Sequence, residues 1–152
     1  MYVRLDKVKS TAHIETVVHN APLHNGTFVE LGAVDEAFGG EAVGITLTAQ
    51  GKAPEAIVVS EFIDYGHPDY DYTKQSIPAG KGARAYIIER GNVMSFSTDL
   101  VPEGLVKGDA VAVGADGVGL VKADGIDDVV IGKVIDLDYL ANVGDLVQIR
   151  FK

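Results

Sequence analysis

Two stretches of the chain alternate apolar and polar residues with a period of two. Ile45, Leu47 and Ala49 interleave with Thr46, Thr48 and Gln50, and Val147, Ile149 and Phe151 with Gln148, Arg150 and Lys152. That is the pattern of strands with one face in a core and the other in water. Residues 56–59 (Ala-Ile-Val-Val) and 129–131 (Val-Val-Ile) are unbroken apolar runs, which suit strands covered on both faces. Three further segments, beginning at Gly26, Gly108 and Gly144, read Gly, then Asp or Thr, any residue, Val, any residue, aliphatic. The pattern predicts a turn closed by glycine that feeds a strand whose two aliphatics share a face. Gly91-Asn92-Val93-Met94-Ser95-Phe96 is a looser fourth copy. Asp116-Gly117 and Asp124-Gly125 follow short apolar stretches and read as hairpin ends. Only Ala33–Phe38, closed by Gly39-Gly40, and Asp136–Ala141 have a helical look, each for one or two turns. Residues 66–78 are the most loop-like part and mark a weak division of the chain.

Composition agrees with this picture. Glycine is 18 of 152 residues, about 12% against a usual ~7%, and valine is also abundant. Short strands with tight turns follow, not long helices. The expected fold class is all-β, a small β-barrel or sandwich with few helical turns, built as one domain over residues 1–152 with a short N-terminal arm (1–9). The formal net charge of −9 repels phosphate backbones and argues against nucleic-acid binding. No run approaches membrane-spanning length, and residues 1–9 lack the apolar core of a signal peptide. The absence of cysteine excludes disulfides, thiolate catalysis and Cys-ligated zinc.

Candidate chemistry is sparse. His67, Asp69 and Asp71 alternate, but Gly66 and Pro68 make the segment a loop, and interleaved polar residues there are ordinary. His13, His19 and His24 fit neither one helical face nor a zinc spacing. Ala79–Ala83 (Ala-Gly-Lys-Gly-Ala) fails as a phosphate loop, since Gly82 stands where Ser or Thr is needed and Gln75 where the first Gly belongs; a turn into the following strand explains it. No serine sits in Gly-x-Ser-x-Gly. Asp124, Asp127, Asp128, Asp136 and Asp138 are simplest as a solvated acidic face, although paired carboxylates leave a hydrolase as the least favoured reading. Asn25-Gly26-Thr27 is a chance glycosylation sequon. The expectation is therefore no catalytic residues, no metal and no cofactor.

The C-terminal half, through Lys107-Gly108-Asp109, Val121–Gly125, Ile131-Gly132-Lys133-Val134 and Leu146–Phe151, resembles small capsid decoration (cement) proteins of tailed phages. Residues 19–32 and the Gly80–Tyr86 segment followed by Gly91-Asn92 are similar to phage head proteins as well. The resemblance implies a non-enzymatic virion protein, made in the host cytoplasm. It would bind the major capsid protein on the outer surface of the assembled head and stabilise it, as a homo-oligomer and in several such families a trimer. The alternative is a head-fibre base or a tail-associated receptor- or glycan-binding module, for which Tyr65, Tyr70 and Tyr72 in the central loop offer stacking surfaces.

The start of the chain is basic within an acidic whole: Arg4, Lys7 and Lys9 against Asp6. Its apolar positions suit strand addition to a partner's open sheet edge. Tyr2, Val3, Arg4, Leu5 and Lys7 are accordingly the candidate capsid or subunit contacts. An ordinary first strand of the barrel accounts for the same residues.

Overall fold

The computed structural model describes every residue except Gly39, residues 61–65, residues 67–70 and Tyr72. In chain order the strands are β1 (Val3–Lys7), β2 (Ile14–Val18), β3 (Leu23–His24), β4 (Phe28–Val34), β5 (Val43–Leu47), β6 (Ala56–Val58) and β7 (Ser76–Ile77). They continue with β8 (Ala83–Ile87), β9 (Val93–Ser97), β10 (Ala110–Val113), β11 (Leu120–Lys122), β12 (Gly132–Leu140) and β13 (Gly144–Phe151). Helical structure among the described residues is confined to three single 3-10 turns. The chain is all-β.

Two bodies make up the fold. Strands β2-β5-β4-β6-β8 close into a barrel, and β1-β9-β13-β12-β10-β11 form an antiparallel six-stranded sheet. Strands β3 and β7 pair beside them. The barrel closes through one parallel contact, Val17↔Val43 and Val18↔Gly44. All four glycine-led openers precede strands, and Gly26, Gly91, Gly108 and Gly144 have φ of 85°, 92°, 96° and 100°. Side chains other than glycine strain in that region, so the repeated glycine is what lets each turn reverse into its strand.

Alternation along the strands then sorts residues between two cores. In β4 and β6, Val29, Ala56 and Val58 point into the barrel and pack with Val17, Leu23, Ile77, Ala83 and Ala85. Their neighbours Phe28 and Ile57 point out of it and join Phe96, Val111, Val113, Ile149 and Phe151 of the sheet. Phe28 and Phe96 stack with centroids 6.3 Å apart, and each meets Phe151 edge-on at 6.4 Å. Thus three strands that follow glycine openers each deliver one phenylalanine to the seam between barrel and sheet.

The structure revises five local expectations. Residues 136–140 belong to strand β12, not to a helix, because five pairs from Asp136↔Gln148 to Leu140↔Gly144 tie them to β13. Ala33 and Val34 end β4, which leaves only Glu36–Phe38 as a 3-10 turn. Asp116-Gly117 does close the β10–β11 hairpin, but Asp124-Gly125 closes none: β11 and β12 flank β10 on opposite sides. Residues 129–131 run up to β12 as irregular chain, with Val129 exposed and only Ile131 buried. The first strand, β1, belongs to the sheet and not to the barrel.

Candidate docking edge and cleft

Among the described residues β1 is an edge strand, paired with β9 on one side alone: Val3↔Phe96, Arg4↔Ser95, Leu5↔Met94, with an irregularity before Lys7. The five candidate contact residues therefore divide by face. Val3 is 5% exposed and Leu5 half-buried, both packed in the seam. Arg4 turns to the outer face of the sheet, where Nε donates to Asp6 Oδ1 at 2.5 Å and Nη2 to Asp138 Oδ2 at 2.6 Å. Ser95 Oγ donates to the second oxygen of Asp6. Lys7 is exposed and Tyr2 half-buried.

Beyond the free side of β1 lies a cleft of ≈ 1090 Å³ between sheet and barrel. Tyr2, Val3, Arg4 and Leu5 form one wall; Thr16 of β2 with Ala83, Arg84 and Tyr86 of β8 forms the other. Asn25, Ser60 and Gln75 supply polar groups between them, with Asn25 Oδ1 already accepting the Ser60 backbone N–H at 2.8 Å. Among the described residues the lining holds two arginines and no carboxylate, on a chain of net charge −9. Arg84 is exposed, and its guanidinium has no partner among the described residues. Sequence reasoning named the β1 wall but missed the barrel wall. Arg84 lies 80 residues further along the chain, and no local pattern joins it to Arg4.

The opposite end of the sheet is built differently. β13 and the last residues of β12 extend past β10, which reaches β12 only at Gly132 and Lys133. On this overhang Leu137 and Tyr139 are 50% and 64% exposed. Their outward N–H groups are not open, because Asp136 Oδ1 accepts from Leu137 and Asp138 Oδ1 from Tyr139, each at 2.8 Å. Carboxylates so placed blunt a sheet edge against further pairing. The Arg4 hydrogen bond, then that of the Tyr139 N–H, hold the Asp138 carboxyl below the usual carboxylate range; Lys107 and the Leu137 N–H do the same for Asp136. A carboxyl lowered in the fold supports it fully above its unfolded value and loses that support as pH falls through the folded one. Stability should consequently be flat with respect to these two groups from pH 8 to 5 and fall only below about pH 4. Thermal melts of the wild type and Asp138→Ala across pH 7 to 3 check this; the variant should show the shallower acid slope.

Among the described residues, the remaining sequence candidates do not assemble a reactive centre. His67 and Asp69 lie outside the described residues, as do Tyr65, Tyr70 and Tyr72. Asp71 accepts from the Thr73 N–H at 2.9 Å and its hydroxyl at 2.6 Å, a local loop bond. His13 pairs with Glu15 at 2.6 Å, His19 with the backbone of Ala21, and His24 sits in β3. No group of three His, Cys, Asp or Glu side chains among the described residues is placed to hold a metal ion. Lys81 lies in the turn before β8, its N–H bonded to Pro78 O. Asp124 and Asp127 are exposed, while Asp128 accepts from the Gly125 N–H at 3.0 Å.

No family model matches the chain, and no curated protein matches it. Among solved structures it is similar to the N base of head fiber gp8.5 of bacteriophage phi29. That likeness has a TM-score of 0.58 at 14% identity and covers 93% of this chain and 95% of that one. At this identity the likeness is one of fold, and it takes in barrel and sheet together.

Proposed function

We propose that this chain is a structural protein of a phage virion, a base module that seats on the outside of the head and belongs to a head fibre. The single observation that carries the proposal is the end-to-end likeness to a head-fibre base, with 93% of one chain on 95% of the other. Two unrelated strand systems welded in the same arrangement are a more specific feature than a barrel alone. The likeness favours a fibre base over the decoration role that the sequence resemblance put first, and over a receptor-binding tail module. Its attachment would be to the major capsid protein, as a homo-oligomer, with an extended protein interface in place of an active site. Tyr2, Val3, Arg4, Leu5 and Lys7 remain the proposed contact region, with the division that Val3 serves the core and Lys7 is free to reach a partner.

Incubating the purified protein with heads that lack it, then sedimenting them and heating them, tests this directly. A fibre base binds at a fixed ratio and leaves the temperature of DNA release unchanged. Binding that raises that temperature would return the decoration role to first place. Attachment to host cells without attachment to heads would overturn both.

A further inference from the structure

We propose that the free edge of β1 accepts an extended, acidic segment of a partner protein as an added strand, laid in the cleft with a carboxylate against Arg84. The backbone sets the first half of this. Ser97 donates its N–H to the Tyr2 carbonyl at 3.0 Å, and bonded pairs alternate along an antiparallel ladder. Arg4 and Ser95 are then the next bonded pair, and Val3 and Leu5 turn their N–H and C=O groups away from β9, toward the cleft. Other edges of the sheet are less receptive. Asp136 and Asp138 occupy the outward N–H groups of the β12 overhang at 2.8 Å, and β11 is only three residues long.

Charge sets the second half. The described lining carries Arg4 and Arg84 and no carboxylate. Arg4 is committed to Asp6 and Asp138, whereas Arg84 is unengaged and exposed on the opposite wall. An incoming strand would receive ladder bonds from β1 and a charge-assisted bond from β8. The irregularity before Lys7 bounds the open edge to a short stretch. One such contact is therefore weak, and useful only when several copies act together on one surface. The inference rests on the head-base reading only for the source of the segment, a head protein.

A short synthetic peptide alternating valine and glutamate is the probe, with a valine–lysine version and one carrying a central proline as controls. Hydrogen exchange followed by NMR on the whole chain should show slowed exchange at the Val3 and Leu5 amides with the acidic peptide alone. Arg84→Glu, an exposed substitution, should weaken that binding about tenfold or more, the loss of one charge-assisted bond. Protection that is absent or centred elsewhere, equal binding of the lysine peptide, or an Arg84→Glu variant that binds as tightly as wild type overturns the inference. Head binding measured beside it separates the two readings. Heads that take up Arg84→Glu as fully as wild type, with no β1 protection by the peptide, leave the base reading standing and remove this one. Peptide binding at β1 by a protein that no head retains does the reverse.

Discussion

Replacing Phe28 with alanine should destabilise the chain by about 3–5 kcal/mol. The larger consequence is where that loss falls. Phe28 is fully buried on the outer wall of the barrel, stacked on Phe96 and edge-on to Phe151. Truncation removes one of three rings at the seam, and neither a closed barrel nor a paired sheet can slide inward cheaply to refill it. Aromatic pairing adds roughly 0.5–1.5 kcal/mol per contact beyond burial, so Phe28→Leu, which keeps most of the volume, should still lose a measurable part. Denaturant melts that follow barrel and sheet by separate probes check the claim. The two bodies should unfold together in the wild type and drift apart in Phe28→Ala. Coincident transitions in the variant with a loss under about 1 kcal/mol would mean the ring is incidental to the joint.

Gly119→Ala should cost roughly 2–4 kcal/mol, from left-handed backbone strain and from overpacking together. Gly119 has φ +64°, and a Cβ there would stand 2.3 Å from the Leu100 carbonyl oxygen. The position matters because the turn after β10 is the second tie between the bodies. Gly119 donates its N–H to Gly26 O at 3.0 Å, and Val118 bridges Thr27, so the sheet's hairpin is hooked onto the opener that starts β4. Gly80→Ala is the control: its φ of +70° is similar, but nothing lies within 4 Å of the added carbon. Thermal melts should place Gly80→Ala modestly below wild type, by the backbone strain alone, and Gly119→Ala well below both. Equal losses would show that backbone strain alone decides, with no part for the close approach.

Much of the strand content was legible because its causes are local. Val147, Ile149 and Phe151 alternate in sequence and are all buried on one face, and each glycine opener carries its own turn. Residues 136–141 misled because Leu137, Leu140 and Ala141 sit at helical spacing, while the force that extends them comes from β13 across the hairpin. The overhang leaves Leu137 and Ala141 in water and Leu140 only half-buried, so burial gave no countersignal. Asp124-Gly125 misled for a topological reason: the next strand pairs on the far side of β10, which no dipeptide encodes. The parallel β2–β5 contact that closes the barrel joins residues 26 apart, through Val17↔Val43, and lies beyond any short-range pattern. The candidate site is half legible on the same grounds. β1 could be read from Val3, Arg4 and Leu5, but the opposite wall, with Arg84 on β8, comes from tertiary packing that no local pattern encodes.

The central claim is that this barrel-and-sheet unit works by seating on a phage head. Cryo-electron microscopy of heads incubated with the protein tests it most directly. The account predicts density on the outer shell at a discrete, repeated position, with both bodies in contact register and the β1 edge turned toward the capsid. Bare shells, or density confined to the tail, would contradict it.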